Sequence, residues 1–224
     1  MSRVLALVEG QTEETFIRDL LAPAVGMHGI DLRVRLAKGR GHGGVPTWAK
    51  FKPILLKLLK EDLSKSVTMM IDFYGMPNDW PGRAESKDLP YPENIELVES
   101  GISCEVSDAL GEDFNPDRLI PYVQCHEFEA LLFSDPKVVG DYLAMPNVAV
   151  GMASIVSECG SPEEINDNPN TAPSKRISAL IEDYDKIVHG TILAGSIGIS
   201  TLRAECPHFG EWVSRLEKLA PDTE

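Results

Sequence analysis

The stretch Val4-Leu5-Ala6-Leu7-Val8-Glu9-Gly10-Gln11-Thr12-Glu13 decides the fold. Five consecutive apolar residues run straight into a carboxylate, a glycine and a threonine. A strand apolar on both faces is buried on both faces, which is the signature of a parallel sheet covered by helices. Gly10 supplies the turn, Thr12 reads as the N-cap of a helix, and Phe16, Ile17, Leu20, Leu21 and Ala24 follow at helical spacing. Glu9 then stands at the carboxyl end of a central strand, the edge where open α/β sheets bind ligands, with Glu13 in the first helical turn beside it. A carboxylate that closes an apolar strand must be paired, protonated, bound to a metal or in contact with water. Glu14 needs no such role, because an acid there complements the helix dipole.

The same pattern recurs along the chain. Val67-Thr68-Met69-Met70-Ile71-Asp72-Phe73 is a second strongly apolar strand with an acid near its end, followed by the turn-rich loop Tyr74 to Gly82. Leu119 to Gln124 reads as a third strand and delivers Cys125-His126-Glu127-Phe128-Glu129. These acids stand where an apolar strand gives way to a helix, and Glu127 and Glu129 do not both face the same way there; Glu127 is assigned to the site, Glu129 to capping or solvent, and His126 to a structural hydrogen bond. Ile30 to Leu36 alternates apolar and charged residues, as a strand nearer the sheet edge does. Trp48 to Leu59 marks an amphipathic helix, and Ile95 to Leu110 a returning one that Gly101 weakens. Beyond Asp135 the chain is helical and acidic: Ser174 caps a helix carrying Lys175, and Phe209, Trp212, Val213, Leu216 and Leu219 close the chain. The expected fold is α/β and Rossmann-like, a mainly parallel sheet with flanking helices and a helical C-terminal portion. One domain spans 1–224, with a core over about 1–135 and a helical extension over about 136–224.

A net charge of −14 excludes a protein that coats nucleic acid indiscriminately, but the average hides a division. Residues 1–66 carry 11 Lys and Arg against 7 Asp and Glu, and between Leu32 and Lys60 there are eight basic residues and no acidic one. This is the stretch suited to phosphates, with Lys38, Arg40, Lys50 and Lys52 as candidate nucleic-acid contacts and Arg33 and Arg35 lining the same approach. The loop Lys38-Gly39-Arg40-Gly41-His42-Gly43-Gly44 lacks the spacing of a nucleotide-binding P-loop. Cys104, Cys125, Cys159 and Cys206 show no paired spacing, so they read as reduced, buried thiols rather than as a disulfide framework or a structural zinc site. No apolar run matches a membrane span and the N-terminus lacks a signal-peptide layout, so no membrane partner and a cytoplasmic location are expected.

Three apolar strands ending in acids gather Glu9, Glu13, Asp72 and Glu127 at one sheet edge. Like charges that close need protons or a cation, and an all-oxygen ligand set selects Mg2+ or Mn2+. With phosphate substrates such ions polarise the phosphoryl oxygen and generate the attacking hydroxide, so the acids point to metal-dependent phosphodiester chemistry.

Val8-Glu9-Gly10-Gln11-Thr12-Glu13, Ile71-Asp72-Phe73-Tyr74-Gly75, His126-Glu127-Phe128-Glu129-Ala130-Leu131-Leu132-Phe133, Ala172-Pro173-Ser174-Lys175-Arg176-Ile177 and Cys206-Pro207-His208-Phe209 together resemble the bacterial domain of unknown function family 4276. That family is similar to the TOPRIM fold of topoisomerases, primases and OLD-family nucleases. The resemblance implies that Glu9 and Glu13 form an E-x-x-x-E pair and that Asp72 is the first aspartate of the TOPRIM D-x-D, whose second is replaced by Tyr74; Asp79 or Glu127 would have to supply the missing oxygen. It also implies a context of phage or mobile-element defence beside an ABC- or AAA-type ATPase. Two function classes follow. One is a Mg2+- or Mn2+-dependent nuclease-like subunit acting on DNA or RNA, with Glu9, Glu13, Asp72 and Glu127 holding metal and Lys175 helping to hold phosphate. The other is a non-catalytic interaction module that regulates an ATPase partner. An enzyme acting on a small phosphorylated metabolite is a third reading, since the loops carry no readable substrate code.

Overall fold

The computed structural model describes residues 1–37, 44–165 and 170–221. Strand β1 (Ser2–Val8) pairs in parallel with β2 (Ile30–Leu36) on one side and β3 (Lys65–Asp72) on the other. β3 in turn pairs in parallel with two short strands, β4 (Leu119–Ile120) and β5 (Val123–Gln124), giving the order β2-β1-β3-β4 with β5 beside the end of β3. The single strand expected over Leu119 to Gln124 is thus split, because Pro121 has no N–H to donate to a ladder. β2 is the edge strand that its alternating pattern predicts.

Side chains of β1 and β3 alternate between two cores, which is why both sequences are apolar over most of their length. On one face Val4, Ala6, Val8 and Met70 are buried with Phe16, Ile17 and Leu21, under α1 (Gln11–Phe16), a π-helical turn Ile17–Leu21 and α2 (Ala22–Gly26). On the other, Leu7, Val67, Met69 and Ile71 are buried against α3 (Trp48–Glu61) and α4 (Glu93–Leu110). Gly101 belongs inside α4 for a steric reason: a Cβ there would lie 3.0 Å from the Pro81 carbonyl carbon, so glycine lets the 74–82 loop lie against the helix.

The 3-10 turn Phe128–Ser134 follows β5 and is buried throughout. After it come α5 (Pro136–Tyr142), α6 (Pro146–Cys159), a 3-10 turn Pro162–Glu164, α7 (Pro173–Leu180), a π-helical turn Lys186–Gly190, α8 (Thr191–Ile197), α9 (Ile199–Glu205) and α10 (Pro207–Glu217). These elements share the core of the β1 face: Leu193, Leu202, Phe209 and Trp212 are buried in one cluster with Val4 and Val8. Trp212 stacks on Tyr122 with ring centroids 4.2 Å apart, and its indole N–H donates to Thr68 Oγ1 at 2.8 Å. A buried indole and a buried strand hydroxyl thus satisfy each other while α10 is fixed to the sheet.

Several local expectations change. Gly10, not Thr12, is the N-cap of α1, and Thr12 is buried within its first turn. Ala172, not Ser174, precedes α7, so Ser174 lies inside the helix start. Of the cysteines only Cys125 and Cys206 are buried; Cys104 is exposed and Cys159 half-buried, and all four are free thiols. Among the described residues no helix is long and apolar enough to cross a membrane.

Candidate functional site

Parallel pairing of β1 with β3 brings their carboxyl ends side by side, and each end carries an acid. Val8 is in register with Met70, so Glu9 and Asp72 leave neighbouring strands at the same edge. Glu13, at the third position of α1, is buried and turned back over the turn, with the N–H groups of Gly10 and Glu13 favouring its charge. Ligand oxygens of Glu9, Glu13 and Asp72 all lie within 4.8 Å of one another. Gly10 makes the arrangement possible, since a Cβ at that position would meet Glu13 Oε2 at 2.8 Å.

Such a cluster is electrostatically costly. Burial raises Glu9 well above the usual carboxylate range, and the neighbouring charges of Asp72 and Glu13 add to the effect. Burial also raises Glu13 and takes Asp72 up to about 7 despite the opposing pull of Lys186. Two oxygens, Glu9 Oε2 and Asp72 Oδ1, are buried with no hydrogen-bond partner among the described residues. Buried acceptors of this kind carry a desolvation penalty that a cation would remove. The donor set is all oxygen, so the ion it fits is a hard one such as Mg2+ or Mn2+.

The Cys125-Glu129 segment is arranged differently from the expectation. His126 adopts a left-handed φ of 60°, and its carbonyl accepts the Tyr74 N–H at 2.7 Å, tying the exits of β3 and β5 together. Past that bend, the two acids exchange roles. Glu127 accepts the Ser174 N–H at 2.9 Å and the Ser174 hydroxyl at 3.0 Å, so it caps α7 from outside. Glu129, fully buried, points instead to the cluster: Lys186 Nζ lies 3.1 Å from Glu129 Oε2 and 3.5 Å from Asp72 Oδ2. Glu127 is still near enough for its charge to raise Asp72, but it is not one of the three acids whose oxygens converge. Burial lifts Glu129 to about 7, with Lys186 opposing. Burial disfavours the charge of Lys186, yet Asp72, Glu129 and Glu13 outweigh it and hold the ammonium protonated.

The other candidates are scattered. Asp79 is exposed, and its carboxylate accepts the Ala49 N–H at 3.3 Å at the start of α3. Lys175 is exposed in the first turn of α7, next to Ser174. Lys52 is engaged by Glu105 of α4 at 2.6 Å, a carboxylate that also accepts the Trp48 indole N–H, so this lysine joins two helices. Arg33 pairs with Asp31 on the same strand, and Lys50 is exposed. Lys38 and Arg40 lie outside the described residues. Lys186 is the residue that sequence reasoning missed; it lies in Asp183-Tyr184-Asp185-Lys186, a polar stretch with no motif or periodicity to set one lysine apart.

A family model described as a domain of unknown function (DUF4276) matches residues 8–217. No curated protein matches the chain. Among solved structures, the C-terminal region of the Burkholderia pseudomallei OLD protein is similar at a TM-score of 0.47 and 15% identity, covering 97% of this chain and 99% of that one. The C-terminal region of the Xanthomonas campestris pv. campestris OLD protein is similar at a TM-score of 0.43 and 17% identity, covering 97% and 96%.

Proposed function

The chain belongs to the DUF4276 family, and we propose that it is a metal-dependent phosphodiester hydrolase acting on nucleic acid, built on Glu9, Glu13 and Asp72. The observation that carries this reading is the convergence of three carboxylates within 4.8 Å at the carboxyl edge of a parallel sheet, two of them with buried, unpartnered oxygens. A divalent ion bound there would supply Lewis-acid polarisation of a phosphoryl oxygen and a nucleophilic hydroxide at neutral pH. Glu9 and Asp72 would hold that ion with the oxygens that lack partners, and Glu13, fixed over Gly10, would complete the set. Lys186, the cation of the cluster among the described residues, would keep Glu129 as its partner and be free to face a phosphate oxygen in place of Asp72. Glu127 and Ser174 fix the start of α7, the helix from which Lys175 would reach a phosphate. A role in phage or mobile-element defence, with an ABC- or AAA-type ATPase partner, extends this reading to context and rests on the family resemblance.

A second reading is favoured by Lys186 itself, whose ammonium already occupies the space between Asp72 and Glu129. An ammonium held there supplies part of the charge that an ion would bring, and by the family resemblance Tyr74 stands where a second aspartate would strengthen metal binding. In that case the chain is an interaction module for an ATPase partner. Calorimetric titration with Mn2+, together with cleavage assays on single- and double-stranded DNA and RNA, separates the two. The hydrolase reading requires Mn2+ binding and cleavage that Asp72→Asn both removes. Binding and cleavage unchanged in Asp72→Asn, or a wild-type protein that takes up no Mn2+, would overturn it.

A further inference from the structure

Apart from the Glu9-Glu13-Asp72 cluster, three residues from distant parts of the chain converge on one point beside α4. Cys125 follows β5, Glu163 lies in the 3-10 turn Pro162–Glu164, and His208 is in the first turn of α10; one ligand atom of each lies within 4.8 Å of the other two. Cys125 and Glu163 are fully buried. We propose that Cys125, His208 and Glu163 form a site for a zinc-type transition metal, separate from the Glu9-Glu13-Asp72 cluster.

The geometry supports this in three ways. First, Cys125 Sγ lies 3.6 Å from His208 Nδ1. A tetrahedral zinc ion with bonds of about 2.3 Å to sulfur and about 2.0–2.1 Å to nitrogen sets those two atoms about 3.5–3.6 Å apart. Second, the tautomer is fixed from outside. His208 Nε2 lies 3.1 Å from Glu99 Oε1, an oxygen that also accepts the Val123 N–H at 2.7 Å. An imidazole whose Nε2–H is held by a carboxylate presents the Nδ1 lone pair, here aimed at the thiol; this is the outer-shell arrangement that orients metal-bound histidines. Third, the ligand chemistry is right and one carboxylate lone pair stays available. Glu163 accepts the Phe209 N–H on Oε1, and the His208 N–H and the Tyr91 hydroxyl on Oε2, which leaves Oε1 a free lone pair. Among the described residues no Lys or Arg forms an ion pair with Glu163 or Glu99. One sulfur, one nitrogen and one carboxylate oxygen suit zinc better than magnesium.

A cavity of about 330 Å3, lined by Glu96, Glu99, Tyr122, His208, Glu211 and Arg215, opens beside the imidazole, and three carboxylates and one guanidinium stand in its wall. On binding, the Cys125 S–H proton leaves to solvent as the sulfur–metal bond forms. Burial and the charge of Glu163 hold that thiol protonated in the absence of an ion. Three protein ligands leave a fourth position for water.

The test uses the full chain stripped with a chelator, then titrated with Co2+ as a spectroscopic probe and with Zn2+ in competition. A thiolate-to-cobalt charge-transfer band that saturates at one equivalent and is bleached by Zn2+ is the expected result. Cys125→Ser and His208→Asn should each lose the band, Cys104→Ser should keep it, and so should Asp72→Asn, which removes a ligand of the other site. Glu99→Gln should weaken Zn2+ roughly 10–100-fold while the band's position is kept, as loss of an outer-shell carboxylate does. X-ray absorption on Zn2+-loaded wild-type protein needs no variant to fold, and it should show one sulfur at about 2.3 Å among nitrogen and oxygen ligands. No charge-transfer band, a band that survives Cys125→Ser, or a zinc shell without sulfur would overturn the proposal.

Discussion

Lys186 Nζ lies 3.1 Å from Glu129 Oε2, so the cation of the carboxylate cluster is supplied from a turn 114 residues beyond Asp72 in sequence and held by an acid that is fully buried. A lysine and a divalent ion then compete for the same negative charge. Replacing Lys186 with Met should lower the melting temperature of metal-free protein. The loss should fall below the roughly 3–5 kcal/mol of breaking a fully buried pair, because the Lys186 side chain is 37% exposed. The same substitution should tighten Mn2+ binding, measured by calorimetry. Weaker binding in Lys186→Met would mean that the ammonium assists the ion rather than standing in for it.

The raised carboxylates give the metal-free protein a distinctive pH dependence. Asp72 and Glu129 sit at about 7 in the folded chain, against about 4 when unfolded. Between those values the native state holds more protons than the unfolded one, so stability is full below about pH 4 for these two groups and is lost as pH rises through 7. In a chelator the melting temperature should therefore fall from acid to neutral pH, and saturating Mn2+ should flatten the slope. A metal-free melting curve independent of pH across that window would show the two acids ionised at no cost.

The sheet and two of its acids were legible because burial on both faces restricts a strand's residues: β1 and β3 read as largely apolar runs, and parallel pairing then sets Glu9 and Asp72 side by side. What failed were arguments from local sequence position and residue type. Preferring Glu127 to Glu129 takes the strand to pass straight into a helix, but the left-handed φ of His126 and the 3-10 turn after it decide which side chain faces the site. Thr12 has the chemistry of an N-cap, yet Glu13 folds back over Gly10 and the helix begins earlier. Lys186 was invisible for a different reason. Its partners are set by tertiary packing of a short π-helical turn, and nothing within that turn requires a cation.

Gly10 offers a test of the site that changes none of its charged groups. A Cβ there would lie 2.8 Å from Glu13 Oε2, the far end of a flexible side chain, so Gly10→Ala should fold but displace that carboxylate. Mn2+ affinity should drop by about tenfold or more, corresponding to at least about 1.4 kcal/mol of lost coordination. The melting temperature without metal should hold or rise, since one acid leaves a repulsive cluster. Unchanged Mn2+ affinity would exclude Glu13 from the ligand set.

Glu127 is the acid whose role the structure moves furthest from expectation, and its substitution separates a ligand from a cap. Both of its oxygens are taken by Ser174, through a backbone N–H at 2.9 Å and a hydroxyl at 3.0 Å, at the start of an eight-residue helix. Removing the charge with Glu127→Gln should cost about 1–2 kcal/mol, the range of a lost helix cap, and lower the melting temperature by about 2–4 °C for each kcal/mol. Ser174→Ala should reproduce part of that loss without touching a carboxylate, and the double variant should lose less than the sum, because both substitutions break the same contact. Mn2+ binding should survive in Glu127→Gln, weakened only as far as α7 loosens, and vanish in Asp72→Asn. Equal loss of binding in the two, with no change in stability for Glu127→Gln, would return Glu127 to the metal and leave the cap to Ser174 alone.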